Sequence, residues 1–180
     1  RFDFHNKYNI DMEVWSTFME QVRDKMNDNR YHNLRHITDV VQTLGTFLAL
    51  EKPMSLFTDL DRLIMIVSAI VHDLGHPGTN NLYQVNKKTE LALKYDNKSV
   101  LENYHIEVSN SLFGELKLLE ALHLSEDDKA LLFEGMKDLI LYTDMAQHFG
   151  LCGTLQDCTK KWKNGDHNVA KEDKIVYMKS

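Results

Sequence analysis

Apolar side chains recur at the spacing of an α-helix along nearly the whole chain. In residues 11–28 they form one stripe, which consists of Val14, Trp15, Phe18, Met19, Val22 and Met26. A second stripe follows Tyr31 and consists of Ile37, Val40, Val41, Leu44 and Phe47. Because residues three and four apart share a helix face, each stripe predicts a helix that turns this face to the core. No segment makes a convincing strand, so the pattern predicts an all-α fold.

The most apolar run of the chain, residues 63–71, predicts a buried third helix. Thr58 or Asp59 can cap its first turn, and the helix is expected to reach Leu74. Glycine and proline at 75–78 are strong helix breakers. The chain should therefore turn sharply after this helix.

Less regular helical or apolar segments complete the chain. They lie at 80–85, 89–94, 116–124, 172–180 and, capped by Ser99, 100–114. Ser125, followed by acidic residues that the helix dipole favours in a first turn, opens a long helix to about His148. Gly150 and Gly153 should end it. Residues 151–168 lack an apolar period and are expected to form a mobile loop.

Composition bounds the class of protein. The 180 residues are 43% hydrophobic, enough for one domain with a core, and the formal net charge of −6 gives no support for nucleic-acid binding. The chain shows no signal peptide and no apolar run near the ~20 residues that span a bilayer. Its two cysteines, Cys152 and Cys158, do not form a C-x-x-C pair, so a reduced, cytoplasmic protein is expected.

Candidate chemistry starts directly after the third helix, in the segment Val-His-Asp-Leu-Gly-His-Pro-Gly at 71–78. His72 offers one neutral nitrogen to a metal, and Asp73 offers two oxygens that can bind one ion or bridge two. A buried carboxylate needs a cation or hydrogen-bond donors, because an unpaired charge is costly to bury. His76 follows four residues after His72. The plain alternative is that Asp73 caps backbone groups and the histidines pack.

A second histidine pair supports a metal site. His32 and His36 are four residues apart, which puts both on one helix face. A lone histidine on such a face is more often a packed or capping residue. Two of them, together with His72 and Asp73, fit a site that takes three or four ligands from different helices.

Four motifs occur in an order that resembles one protein family. They are Tyr-His-Asn-x-x-His at 31–36, His-Asp-x-x-His-Pro-Gly-x-x-Asn at 72–81, Ser-Val-Leu-Glu-Asn at 99–103 and Thr-Asp-Met-Ala-x-His at 143–148. The chain resembles the catalytic domain of class I 3′,5′-cyclic nucleotide phosphodiesterases, within the HD superfamily of metal phosphohydrolases. This resemblance implies an irregular multi-helix fold in which residues 1–180 are a partial catalytic domain whose C-terminal part is missing.

The resemblance implies the metal ligands and cofactors. His36, His72 and Asp73 would bind the tighter of two divalent ions, zinc in this family, and Asp73 would also reach the second, magnesium or manganese. Two ions that share a water lower its pKa from about 15.7 towards about 7, which gives hydroxide at neutral pH. This hydroxide would attack the phosphorus of the cyclic phosphodiester.

Residues for proton transfer and substrate contact follow from the same matching. His32 stands at the position of the general acid that protonates the leaving 3′ oxygen, a role that histidine suits near neutral pH. The plain alternative for His32 is a histidine bonded to backbone at a helix start. Tyr31 and Met145 match positions in the wall of the nucleotide pocket, although such residues are more often simple core.

Further polar residues match positions that hold metal-bound waters or orient ligands. They are His76, Glu102, Thr143 and Asp144. Glu102 has a plain alternative as an exposed helix acid. Asp144 has one as a surface pair with His148, four residues later.

The chain departs from the family pattern at Gly75, where many members have an acidic residue, and at Tyr104, where histidine is usual. HD-type sites also take one more aspartate ligand from a later helix. The candidates are Asp157, Asp166 and Asp173, and none has the expected motif around it. We therefore expect the isolated 180 residues to be inactive or nearly so, with apolar helix faces that lack packing partners.

The resemblance implies metal-dependent hydrolysis of cyclic AMP, cyclic GMP or both to the nucleoside 5′-monophosphate. One alternative is another HD-type phosphohydrolase such as a nucleotidase, which would cleave monoesters instead. A second is a regulatory module that binds a cyclic nucleotide without turnover. The expected partners are the substrate and either regulatory domains or the remaining catalytic segment outside these residues, with a dimer left open and no nucleic acid.

Overall fold

The computed structural model describes residues 2–50 and 56–163 together with Met178. Within this described part of the chain no β-strand occurs, which confirms the predicted all-α class. The predicted segment 172–180 lies outside the described residues, Met178 excepted. The helices are, in chain order, α1 (Phe4–Lys7), α2 (Met12–Lys25), α3 (Leu34–Leu48), α4 (Asp59–Val71), α5 (Asn81–Lys87), α6 (Glu90–Lys94), α7 (Val100–Glu115), α8 (Leu118–Ala121), α9 (Glu126–Leu141) and α10 (Met145–Lys163).

The central element of the fold is α4, most of which is buried. A capping box closes its first turn: Thr58 Oγ1 accepts the Asp61 N–H, and the Asp61 carboxylate accepts the Thr58 N–H at 2.7 Å. Helices α3 and α9 pack along it. The contact with α9 is close because Gly135 has no side chain, and a Cβ built there would lie 2.9 Å from Cγ2 of Ile64.

Helix α7 packs against the carboxyl end of α4 and supports the turn that follows. His105 Nδ1 lies 2.8 Å from the Leu74 carbonyl oxygen, and Ser109 Oγ, which donates to the His105 carbonyl at 2.7 Å, also lies 3.4 Å from the Val71 carbonyl oxygen. Leu74 itself is fully buried in the main hydrophobic core. These contacts hold residues 72–76 at the C-terminal end of the central helix, where the sequence pattern predicts them.

The core faces of α2 and α3 are narrower than the stripes in the sequence. In α2, Phe18 is fully buried, whereas Met19 is 37% exposed. In α3, Phe47 is 52% exposed, so its predicted place in the core is wrong, and Leu48 is buried instead. A helix that packs against one main neighbour buries a narrower arc than such a stripe covers.

The C-terminal helices differ from the prediction. The expected single helix is two helices, α9 and α10, separated by a turn at 142–144. Gly150 and Gly153 lie inside α10 rather than ending it, and helix replaces the predicted mobile loop 151–168 as far as residue 163. The new helix begins because Asp144 Oδ1 accepts the backbone N–H two residues later at 2.9 Å and caps it.

Candidate metal centre

Residues from separate elements meet around Asp73. Helix α3 carries His36 in its first turn, where Asn33 caps the helix by accepting the N–H groups of Arg35 and His36 at 3.0 and 3.3 Å. His72 and Asp73 follow α4 directly. Asp73 is 8% exposed, and the Nε2 atoms of His36 and His72 both lie 3.3 Å from its Oδ2. The structure thus brings the three predicted metal ligands together.

Backbone carbonyls determine which nitrogen of two rings can bind a metal. His72 Nδ1 lies 2.9 Å from the Ala69 carbonyl oxygen, and His105 Nδ1 lies 2.8 Å from that of Leu74. A carbonyl oxygen only accepts, so each Nδ1 carries a proton and Nε2 of the neutral ring keeps a lone pair. Both Nε2 atoms lie beside Asp73, at 3.3 Å from Oδ2 for His72 and at 3.7 Å from Oδ1 for His105.

One carboxylate oxygen, Asp73 Oδ2, marks a candidate cation position. This atom is buried and accepts no hydrogen bond from any residue that the structure describes. A buried carboxylate oxygen without a hydrogen bond is costly unless a cation or a proton lies between it and the ring nitrogens beside it. One ligand atom each of His36, His72 and Asp73 lies within 4.8 Å of the other two. Two imidazoles and a carboxylate fit zinc or a similar divalent metal ion.

The electrostatics favour a charged carboxylate at the centre of this cluster. Burial opposes it, but the surrounding imidazoles, His72 first, hold the pKa of Asp73 well below its usual range. Burial lowers the pKa of His36, which keeps this ring neutral and able to bind a cation. Burial also acts to lower the pKa of His72, but Asp73 outweighs it and the pKa is raised. A proton and a metal ion therefore compete at the His72–Asp73 pair.

His76 has the opposite tautomer. Its Nδ1 accepts the Gly78 N–H at 2.9 Å, so the neutral ring carries its proton on Nε2. Burial, with His32 next, lowers the pKa of His76 to about 4. Its ring stacks on that of His32 with the centres 3.8 Å apart, and ligand atoms of both rings and of Asp73 lie within 4.8 Å of one another. His76 is thus a hydrogen-bond donor beside the cluster and a support for the His32 ring.

Glu102 is a buried acid near the cluster. Its Oε2 accepts from Asn81 Nδ2 at 2.8 Å, and Asn81 Oδ1 accepts the Leu101 N–H at 2.9 Å. Burial raises the pKa of Glu102, and the carboxylates of Asp144 and Asp73 act in the same direction. The alternative of an exposed helix acid is therefore wrong.

Asp144 connects the start of α10 to the start of α7. It is 8% exposed, and its Oδ2 accepts the Ser99 hydroxyl at 2.7 Å. Ser99 has a φ of 39° and makes no side-chain cap on α7, so the predicted cap is wrong. Because Asp144 is buried and bound in this way, the alternative of a surface pair with His148 is also wrong. Thr143 Oγ1 donates to the Ile140 carbonyl at 2.7 Å.

Sequence reasoning did not single out Asn81 and Ser99 as partners of these acids. The available signal is that each is a polar residue at one end of a motif, 72–81 or 99–103. Their partners lie 21 and 45 residues away along the chain, so helical spacing carries no information on these contacts.

The two candidate substrate residues are exposed. Tyr31 is 65% exposed, with its ring centre 4.7 Å from that of His36. Met145 is 69% exposed at the first position of α10. Neither residue belongs to the core, so the core alternative is wrong for both.

The two departures from the family pattern are in contact with each other. Gly75 has a φ of +72°, and a Cβ built there would lie 3.1 Å from both Cε1 and Oη of Tyr104. The tyrosine ring thus occupies the space that a longer side chain at position 75 would need. Among the candidates for a further ligand, Asp157 is exposed on α10 and pairs with Lys160 at 3.0 Å. Asp166 and Asp173 lie outside the described residues.

The described residues form a helical fold with a histidine–aspartate cluster after its central helix, which defines a candidate metal centre. Comparison with known proteins gives the family: residues 31–179 match 3′5′-cyclic nucleotide phosphodiesterase. The chain is 40% identical over 155 residues to 3′,5′-cyclic-AMP phosphodiesterase 4 of Dictyostelium discoideum, covering 85% of this chain and 15% of the relative. It is 36% identical over 157 residues to the human high affinity cGMP-specific 3′,5′-cyclic phosphodiesterase 9A, covering 87% of this chain and 26% of the relative. The chain belongs to the cyclic nucleotide phosphodiesterase family.

Solved structures support the same relationship. The phosphodiesterase domain of a RhoPDE fusion protein from the choanoflagellate Salpingoeca rosetta superposes with a TM-score of 0.88 at 29% identity, over 99% of this chain and 56% of that one. The chain therefore spans about half of the solved domain and a smaller share of the curated relatives. Of the helices in the described residues, none combines the length and apolar character needed to span a bilayer.

Proposed function

We propose that the protein hydrolyses a 3′,5′-cyclic nucleotide to the nucleoside 5′-monophosphate in a metal-dependent reaction, and that residues 1–180 are the N-terminal part of its catalytic domain. Membership of the phosphodiesterase family supports the reaction class. The observation that carries the site is Asp73 Oδ2. It is buried, accepts no hydrogen bond within the described part of the chain, and lies 3.3 Å from two imidazole nitrogens.

His36, His72 and Asp73 would hold the first divalent ion, for which two imidazoles and a carboxylate favour zinc. The other oxygen of Asp73 remains for a second ion, magnesium or manganese, which prefers oxygen ligands and water. When bound, such ions neutralise charge on the phosphoryl oxygens and lower the pKa of water. The residues that would orient these ligands and hydrogen-bond the surrounding water are His76, Glu102, Thr143 and Asp144.

His32 would supply the proton that the reaction needs. Hydrolysis forms one P–O bond to a water oxygen and breaks the P–O bond to the 3′ oxygen, which takes up a proton and leaves as a hydroxyl. His32 is half-buried, and its ring lies against His76 within reach of Asp73. This position lets the imidazole meet a phosphodiester at the cluster and remain accessible to solvent for reprotonation.

Tyr31 and Met145 would contact the nucleotide. Tyr31 presents its ring beside His36, and Met145 directly follows the buried Asp144. Both expose apolar surface that a purine or ribose can cover. The sequence contains two cysteines, Cys152 and Cys158, and such a low cysteine content is consistent with a reducing compartment such as the cytoplasm.

The test is product analysis with zinc and magnesium supplied. The longest natural protein that contains these residues is incubated with cyclic AMP and with cyclic GMP, and phosphorus NMR identifies the product. We expect the 5′-monophosphate as the product, and no product when a chelator is added or when Asp73→Asn is used. The control Asp59→Asn should keep the product, because Asp59 pairs with Lys7 and Arg62 and lies outside the cluster. The 180-residue chain alone should show little or no turnover.

Two outcomes would contradict this proposal. Cleavage of nucleoside monophosphates with both cyclic nucleotides untouched would indicate a nucleotidase. Binding of a cyclic nucleotide without any product, with both metals present, would indicate a regulatory module.

A further inference from the structure

Two asparagines join the loop before α3 to the loop after α4, and a third holds one of them in place. Asn29 Nδ2 donates to the His76 carbonyl at 2.7 Å and to the His32 carbonyl at 3.2 Å. Asn27 Nδ2 donates to the same His76 carbonyl at 2.9 Å. Asn33 Nδ2 donates to the Asn29 carbonyl at 2.7 Å. We call these three side chains, Asn27, Asn29 and Asn33, the asparagine clasp.

Asn29 is the central member of the clasp. Asn29 is half-buried, whereas Asn27 is exposed. Of the three side-chain amides in the clasp, only that of Asn29 donates to a carbonyl in each of the two loops. Loss of a buried hydrogen bond costs more stability than loss of an exposed one, because the remaining polar group cannot bond to water instead. The other side of the same amide is also confined: a Cβ built on Gly78, which has a φ of +82°, would lie 2.7 Å from Asn29 Oδ1. The glycine is therefore needed for the two loops to approach so closely.

The clasp acts on a residue that has no support from a regular element. His32 lies in a bend before the first residue of α3, so helical hydrogen bonds do not hold it. Its ring lies closest to that of His76, with ring centres 3.8 Å apart and planes at 10°, and Asn29 donates to its carbonyl. The rings of Tyr31 and His36 meet it edge-on, with ring centres 4.9 and 5.8 Å away. A functional group on a loop keeps its position only when surrounding residues lock it.

We propose that Asn29 is a positioning residue that holds the His32 ring against His76 and beside Asp73. It does so by tying the two backbones together at His32 and His76, one on each side of the ring stack. The catalytic meaning of this role rests on the proposed function, in which His32 donates a proton to the leaving oxygen. The geometric part stands on the hydrogen bonds alone.

The first test measures the ring stack directly in the longest natural protein that contains these residues. Ring protons of His32 and His76 at this separation give a nuclear Overhauser effect between the two imidazoles. We expect Asn29→Ala to abolish this signal, with and without added zinc. The matched control is Asn103→Ala, which also removes an amide that donates to two carbonyls, those of Lys98 and Ser99 at 3.1 and 3.0 Å, and should keep the signal. An unchanged signal in Asn29→Ala would overturn the proposal.

A second variant covers the case in which Asn29→Ala fails to fold. In Gly78→Ala the added methyl group would clash with Asn29 Oδ1, so this variant should weaken the same signal. The double variant should lose less stability than the sum of the single variants, because Asn29→Ala removes the atom that the new methyl group meets. Additive losses together with an intact ring signal would contradict a shared contact.

The second test separates positioning of the acid from general damage in the longest natural protein. We expect Asn29→Ala to retain zinc and to lower turnover of the cyclic nucleotide by about 10- to 100-fold. For a phosphodiester with a much better leaving group, which needs no proton, the loss should be much smaller. Equal losses on both substrates would refute the positioning of His32. If the unaltered protein cleaves neither substrate, the proposed function fails, and the ring signal alone decides whether Asn29 holds the stack.

Discussion

Replacement of Asp73 by asparagine separates a metal ligand from a structural acid. Asparagine keeps the size of the side chain, but it removes the charge and one strong donor oxygen from a cluster in which Oδ2 lies 3.3 Å from two Nε2 atoms. In the metal-free protein the substitution also removes a buried carboxylate oxygen that accepts no hydrogen bond from the described residues. Because the surrounding imidazoles stabilise the charged carboxylate and lower its pKa, we expect the metal-free variant to be less stable than the parent, while its affinity for zinc falls.

The size of the loss can be estimated from zinc sites in general. Four ligands bind structural zinc with about 10–16 kcal/mol, so an equal share for one ligand is about 2.5–4 kcal/mol, or about 60- to 700-fold in affinity. At a zinc concentration of about 100 times the parent Kd, binding raises the free energy of unfolding of the parent by about 2.7 kcal/mol, and that of the variant by only about 0.1–0.6 kcal/mol.

The assay is denaturant unfolding with and without zinc, together with a competition titration against a coloured chelator. Asp59→Asn is the control: it breaks the ion pairs with Lys7 and Arg62, so it should lower stability and keep the full zinc effect. If folded Asp73→Asn retains the zinc affinity of the parent, Asp73 does not bind the zinc ion. The assignment of Asp73 as a ligand would then have to be abandoned.

Two further substitutions test the acid and the core. His32→Ala should leave zinc in place and lower turnover of the natural substrate by about 10²–10⁴-fold, with a smaller loss for a substrate that has a much better leaving group; loss of zinc would instead make His32 a ligand. Gly135→Ala should destabilise the fold by about 1–2 kcal/mol in denaturant unfolding, because the added methyl meets Ile64 and overpacking outweighs the gain in helix propensity. Gly45→Ala, in a helix with open space around it, should be neutral or stabilising, and equal effects at the two glycines would argue against the close approach of α4 and α9.

Local patterns in the sequence were sufficient for the fold class and for the residues around the cluster. The apolar run before His72 and Asp73 predicts a buried helix, which α4 confirms, but the helix ends at Val71 rather than at the predicted Leu74. The i, i+4 spacing of His32 and His36 predicts that both lie on one helix face, which is wrong because His32 precedes α3, although their ring centres are 5.8 Å apart. These features depend on neighbours within one or two helical turns, which is the range over which periodicity carries information.

Breaks between helices were harder to predict, because the groups that cause them come from elsewhere in the fold. Gly150 and Gly153 weaken a helix by propensity, yet α10 runs through both. The actual break, at 142–144, coincides with Asp144, which caps α10 and binds Ser99 at 2.7 Å. A glycine in the sequence indicates only where a helix could end. The actual end here coincides with a buried hydrogen bond between residues that are distant in the sequence.

Only the tertiary structure decided the chemistry of the individual rings. Nδ1 of His105 is protonated because it meets the Leu74 carbonyl, 31 residues away, whereas Nδ1 of His76 accepts a backbone N–H. Asn29 reaches the His76 carbonyl across 47 residues of chain. The contacts of His105 and Asn29 leave no period in the sequence, because each joins single groups on separate elements whose approach is set by the packing of the helices between them.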